Sequence, residues 1–143
     1  MMTKHEKNKA NIIRLSQQRR AFLQVIQING YQNNDDLSFI DEESAFLLGK
    51  QLHDIISNIV EARVQDWEKA KEVFSGFICK YDYYIIFTNR WEIGALAIRM
   101  EVLKVNVDAI YRTVGPDFYC ATPDLSHGFI FDKNEYYCST RIW

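Results

Sequence analysis

The sequence predicts an α+β fold, with a helical N-terminal half packed on a small antiparallel β-sheet in the rough order α-α-β-α-β-β. Three observations carry that expectation. Apolar residues recur at three- and four-residue spacing as far as Phe74, and the texture changes at Gly76. Beyond it lies an aromatic, strand-like half ending in Gly128-Phe129-Ile130-Phe131-Asp132-Lys133-Asn134-Glu135-Tyr136-Tyr137. The 143 residues fit a single domain spanning 1–143, with 1–7 as a flexible basic head. A chain of this length buries roughly two thirds of the surface its unfolded form exposes, so a true core is expected.

Each element has a local reason. Ile12, Ile13, Leu15, Phe22, Leu23, Val25, Ile26 and Ile28 give a first helix over residues 8–28, stopped at Gly30. Gly30-Tyr31-Gln32-Asn33-Asn34-Asp35-Asp36 has turn chemistry throughout. Asp41, followed by Glu42 and Glu43, places an acceptor and negative charge at the positive end of a second helix. Its apolar stripe continues to Phe74. One helix of that span would be about 50 Å long, so a break is expected near Arg63 to Asp66, and Gly76 is expected to end the second piece.

Phe77 to Phe87 is rich in aromatic and β-branched residues and predicts one strand or a bent pair. Residues 90–104 favour a helix by their Ala, Leu, Met and Glu content, with a strand over Glu92 to Met100 as the competing reading because Gly94 weakens a helix. A short further helix fits Asn106 to Thr113, stopped by Gly115-Pro116. Phe118 to Ala121, Gly128 to Asp132 and Glu135 to Ser139 then form an antiparallel meander.

Composition limits function. With 48% hydrophobic and 25% charged residues, the chain falls with ordinary globular proteins and away from disordered ones. No run of 18 apolar residues and no apolar segment behind the first Met occur, so neither a membrane span nor a signal peptide is indicated and a cytoplasmic location is expected. Three widely spaced cysteines, Cys79, Cys120 and Cys138, fit reduced thiols better than a disulfide framework, although Cys120 and Cys138 remain candidates for neighbouring strands. Residues 1–20 hold six Lys/Arg against one acid, whereas residues 21–143 hold eleven against eighteen, a net of −7. That acidic body disfavours nucleic acid and suits a basic protein partner.

Catalytic signatures are missing. The chain has no phosphate-cradling Gly-rich loop, no Cys-x-x-Cys, no His-Glu-x-x-His and no Gly-x-Ser-x-Gly. The densest polar cluster is Asp117, Asp124, Ser126, His127, Asp132 and Glu135. A hydrolase or nucleotide-processing enzyme would draw on Asp124, His127 and Asp132, yet no spacing enforces convergence on a metal or a nucleophile. A turn in which Asp124 and Ser126 bond nearby amides accounts for most of that cluster. No cofactor and no metal is expected. Asp35, Asp36, Asp41, Glu42 and Glu43 crowd five carboxylates into nine residues, a candidate partner-binding surface, with Asp124 and His127 as further candidates.

A small acidic α+β chain with a helical first half and a Tyr-rich terminal meander, carried by Asp117-Phe118-Tyr119-Cys120-Ala121-Thr122 and Gly128-Phe129-Ile130-Phe131-Asp132, resembles the immunity proteins of bacterial polymorphic toxins of the contact-dependent inhibition type. That resemblance implies a non-enzymatic inhibitor that binds a cognate toxin domain, often a basic nuclease, and covers its active site. A structural or regulatory interaction module is the further alternative.

Overall fold

A computed structural model describes residues 3–26, 37–78, 80–88 and 94–143. The chain is α+β. Its elements run α1 (Lys4–Ile26), β1 (Leu37–Ile40), α2 (Glu42–Ile56), β2 (Ala62–Val64), α3 (Trp67–Ile78), β3 (Tyr83–Phe87), β4 (Ala95–Arg99), α4 (Met100–Val114), β5 (Phe118–Ala121), β6 (Gly128–Lys133) and β7 (Cys138–Ile142). Among the described residues the strands form one sheet of seven in the order β1-β4-β3-β5-β6-β7-β2, with every neighbouring pair antiparallel.

Strand alternation separates two cores. Tyr84, Ile86, Leu96, Ile98, Phe118, Cys120, Phe129 and Phe131 face α3 and α4, where Ala70, Phe74, Phe77, Leu103 and Ile110 complete a buried cluster. Its rings meet at angles that aromatic quadrupoles favour: Phe74 stands on Phe118 with centroids 5.4 Å apart at 81°. On the opposite face α2 lays Leu48, Leu52 and Ile55 over Ala121, Leu125 and Trp143. The α1 helix lies beside α4.

Several expectations need correction. The first helix starts at Lys4, because Thr3 and Glu6 exchange a reciprocal pair of bonds, Glu6 N–H to Thr3 Oγ1 at 3.1 Å and Thr3 N–H to Glu6 Oε2 at 3.0 Å. Most of the basic head therefore belongs to that helix. The expected break in the second helix exists but opens at Ser57 and contains β2. Gly76 does not stop α3, which runs to Ile78, so β3 begins at Tyr83 rather than Phe77.

Of the helix expected over 90–104, residues 90–93 lie outside the described residues, and the rest is a strand, as the competing reading has it for Ala95 to Arg99, followed by a helix. β4 pairs with β1 on one side and β3 on the other, and two ladders outweigh the helical propensity of Ala95 to Arg99. Gly94, at φ 90°, opens that strand. The short helix expected at Asn106 is the second half of α4, which starts at Met100. The last strand is Cys138–Ile142 rather than Glu135 to Ser139, because the Asn134 side chain accepts from the N–H groups of Tyr136 and Tyr137 and extends the turn. Cys120 on β5 and Cys138 on β7 are separated by β6, and both are free thiols. Cys79 lies outside the described residues.

Candidate functional site

The position of α2 creates the principal concavity. Asp41 caps the helix, accepting from the Ser44 N–H at 2.8 Å and the Ser44 hydroxyl at 3.0 Å, and these bonds hold its carboxyl below the usual range. From that cap the helix crosses the sheet, touching it through Leu48, Leu52, Ile55 and Ile56. Its first turns leave a groove of about 1170 Å³, walled by Phe46, Gly49 and Leu52 on the helix and by Phe87, Ala95 and Tyr119 on the sheet. Phe46 is 62% exposed. Gly49 keeps the groove wide, since a Cβ built there would meet nothing within 4 Å.

The lip of the groove is charged. Glu42, Glu43 and Asp54 line it with His53 and Lys50, and the Lys50 ammonium sits 5.0 Å from the centre of the Phe46 ring. Neither Glu42 nor Glu43 has an ion-pair partner among the described residues. The groove thus joins an apolar wall to exposed carboxylates, a combination that complements a segment carrying both apolar and cationic side chains.

Sequence-predicted site residues divide. Glu42 and Glu43 stand at the groove and Asp41 is spent on the helix cap, while Asp35 and Asp36 lie outside the described residues. Asp124 and His127 follow β5 at the opposite end of that strand from the lip. Asp124 accepts from the Thr122 hydroxyl at 2.8 Å, the Ser126 hydroxyl at 2.7 Å and the Ser126 N–H at 3.1 Å, which pull its carboxyl down to about 2. The His127 ring stacks on Tyr81 with centroids 4.7 Å apart. Asp132 sits at the far end of β6. Thus Asp124, His127 and Asp132 each serve different partners, and no group of His, Cys, Asp and Glu able to hold a metal occurs among the described residues.

Asp132 belongs instead to a charged layer on the sheet that joins β5, β6 and β7 to Glu61. Tyr119 donates to Asp132 Oδ1 at 2.8 Å, Arg141 donates to Asp132 Oδ2 at 2.7 Å and to Glu61 Oε2 at 3.3 Å, and Tyr137 donates to Glu61 Oε1 at 2.7 Å. Burial and the neighbouring Asp132 carboxylate push the Tyr119 phenol well above its usual range, so it remains a donor. Glu61 is held below its usual range by the Tyr137 hydroxyl first, then by Ser139 and Arg141. On the strands that carry this layer, Ile130 and Ser139 are buried.

Sequence reasoning missed the groove's apolar wall. Its signal was Phe46, a large ring outside the stripe formed by Ala45, Leu48 and Leu52 and therefore bound to emerge beside it. No helix among the described residues is long and apolar enough to cross a membrane. No protein-family profile, curated protein or solved structure matches the chain.

Proposed function

We propose that the protein is a non-enzymatic, protein-binding inhibitor of the immunity type, acting in the cytoplasm, and that it takes a basic amphipathic segment of a cognate toxin domain into the α2 groove. One observation carries this reading: the apolar wall of Phe46, Phe87 and Ala95 shares one groove with Glu42 and Glu43, whose carboxylates make no ion pair among the described residues. Apolar anchors would supply affinity in such a groove, while the carboxylates would select and steer a cationic partner. An enzyme built on Asp124, His127 and Asp132 has less support, since those groups are committed to a turn, a ring stack and an ion pair.

Growth protection tests the proposal. Co-expression should rescue cells from the toxin domain encoded beside this chain; Glu42→Lys/Glu43→Lys should abolish rescue, and His127→Ala should retain it. Rescue that survives the charge reversal, or turnover of a nucleotide or ester lost on His127→Ala, overturns the proposal.

A further inference from the structure

We infer that, when no other partner is bound, the groove receives the N-terminal helix of a second copy of this chain. The inference rests on the reading of the groove given above and adds a specific occupant. Thr3 and the α1 residues 4–14 are exposed at every position, with Ile12 at 70% and Ile13 at 51%. Lys4, Lys7, Lys9 and Arg14 make no ion pair among the described residues. The helix is nevertheless formed from its first residue by the Thr3/Glu6 box.

The body holds α1 farther along. Arg19 donates to the Ile40 carbonyl at 3.3 Å and lies 5.0 Å from the centre of the Phe39 ring, and Leu15 and Gln18 are partly covered. From Arg19 back to Lys4 an α-helix extends about 22 Å. A cationic helical arm with two bare isoleucines therefore projects from an otherwise acidic body. Short helices without packing are marginal in water, so such an arm is stabilised by any apolar cover it finds.

The chain carries the complement of that arm. Groove and arm match in apolar content and oppose in net charge: Glu42, Glu43 and Asp54 outnumber Lys50 on one, and Lys4, Lys7, Lys9 and Arg14 outnumber Glu6 on the other. The arm does not enter its own groove, since residues 3–14 are all exposed. Reciprocal exchange between two copies satisfies both surfaces twice around one twofold axis, and it closes without leaving an arm over. Such a dimer protects the groove from casual apolar contacts and yields it to a partner that offers a better basic segment.

A charge-swap experiment on the full chain decides the matter. Sedimentation of the wild type should show a dimer whose association weakens at least about tenfold between about 50 and about 500 mM salt. Glu42→Lys/Glu43→Lys and, separately, Lys4→Glu/Lys7→Glu/Arg14→Glu should each be monomeric, and their equimolar mixture should restore a one-to-one complex. Ile12→Asp/Ile13→Asp should also be monomeric with an unchanged melting curve, because both side chains are exposed.

A wild type that stays monomeric, a dimer that survives either reversal, or a mixture that does not associate overturns the inference. Ile12→Asp/Ile13→Asp leaves the groove intact, so it should still rescue growth. Rescue together with a failed charge swap leaves the inhibitor standing without the dimer. A successful swap without any rescue makes the groove a self-association site alone.

Discussion

Arg141 donates to Asp132 at 2.7 Å, diagonally across the β6–β7 ladder, and its second amino group reaches Glu61 on the edge strand's flank at 3.3 Å. Ile130 lies directly opposite Arg141 on the same face and is fully buried. The arginine therefore both neutralises two carboxylates and shields an apolar residue that would otherwise face water.

Arg141→Ala should lower stability by about 1.5–3 kcal/mol, the range for losing hydrogen bonds to a charged group. Arg141→Met should cost less, because its chain keeps Ile130 covered. Urea unfolding of both variants checks this, and equal losses would show that cover contributes nothing.

Gly128 and Trp143 exchange two backbone bonds, 3.1 and 3.2 Å long, and the Trp143 indole occupies the space where a Cβ on residue 128 would go. The indole N–H is further tied to the Leu125 carbonyl at 3.0 Å. Gly128→Ala should cost about 1–3 kcal/mol by displacing the ring. In a double-mutant cycle the same substitution should cost clearly less when Trp143→Ala has already removed the indole. Additive losses would disprove the contact.

The Asp124 turn predicts an acid-limb effect. Its folded carboxyl is depressed from 3.8 to about 2 by three donors, so the native state binds that proton less readily than the unfolded chain does. The stabilisation is fully present above pH 3.8 and disappears as pH falls through about 2. Wild type should thus exceed Asp124→Ala in melting temperature at neutral pH, with the gap closing across that window. A gap independent of pH there would remove the charge from the explanation.

The core makes a graded prediction. Phe74→Ala, in the fully buried aromatic cluster, should cost about 3–5 kcal/mol. Phe87→Ala should cost less, because Phe87 is half-buried and already faces the groove. Chemical denaturation orders the two, and the reverse order would contradict the placement of the cores.

What the sequence revealed follows from how far each signal is local. Asp41 as a helix cap, the stop at Gly115 and the strand starting at Phe118 depend on neighbours within a few residues, and each lies where its pattern indicates. The two edge strands were hidden because Leu37–Ile40 is four residues long and Ala62–Val64 only three, the latter inside a helical periodicity. β4 stays ambiguous between helix and strand in the sequence for a different reason: its state is fixed by ladders with β1 and β3, partners distant in sequence.

Legibility of the site was similarly uneven. The carboxylates of Glu42 and Glu43 are evident as a charge cluster, but the apolar wall that shares their groove joins residues from α2, β3, β4 and β5 that no spacing connects. The Asp124/His127/Asp132 cluster was a product of sequence proximity. Once β6 extends between them, Asp132 is carried to the other end of the strand and pairs with Arg141.

Gly49→Trp tests the central claim most directly, because it fills the groove without altering a single charge on its lip. Open space surrounds Gly49, so the helix should persist and the variant should melt no lower than wild type. Binding to the cognate toxin domain, measured by titration calorimetry, should weaken at least about tenfold, or about 1.4 kcal/mol, while Gly49→Ala binds as wild type does. Undiminished binding by a correctly folded Gly49→Trp would contradict the assignment of this groove as the partner site.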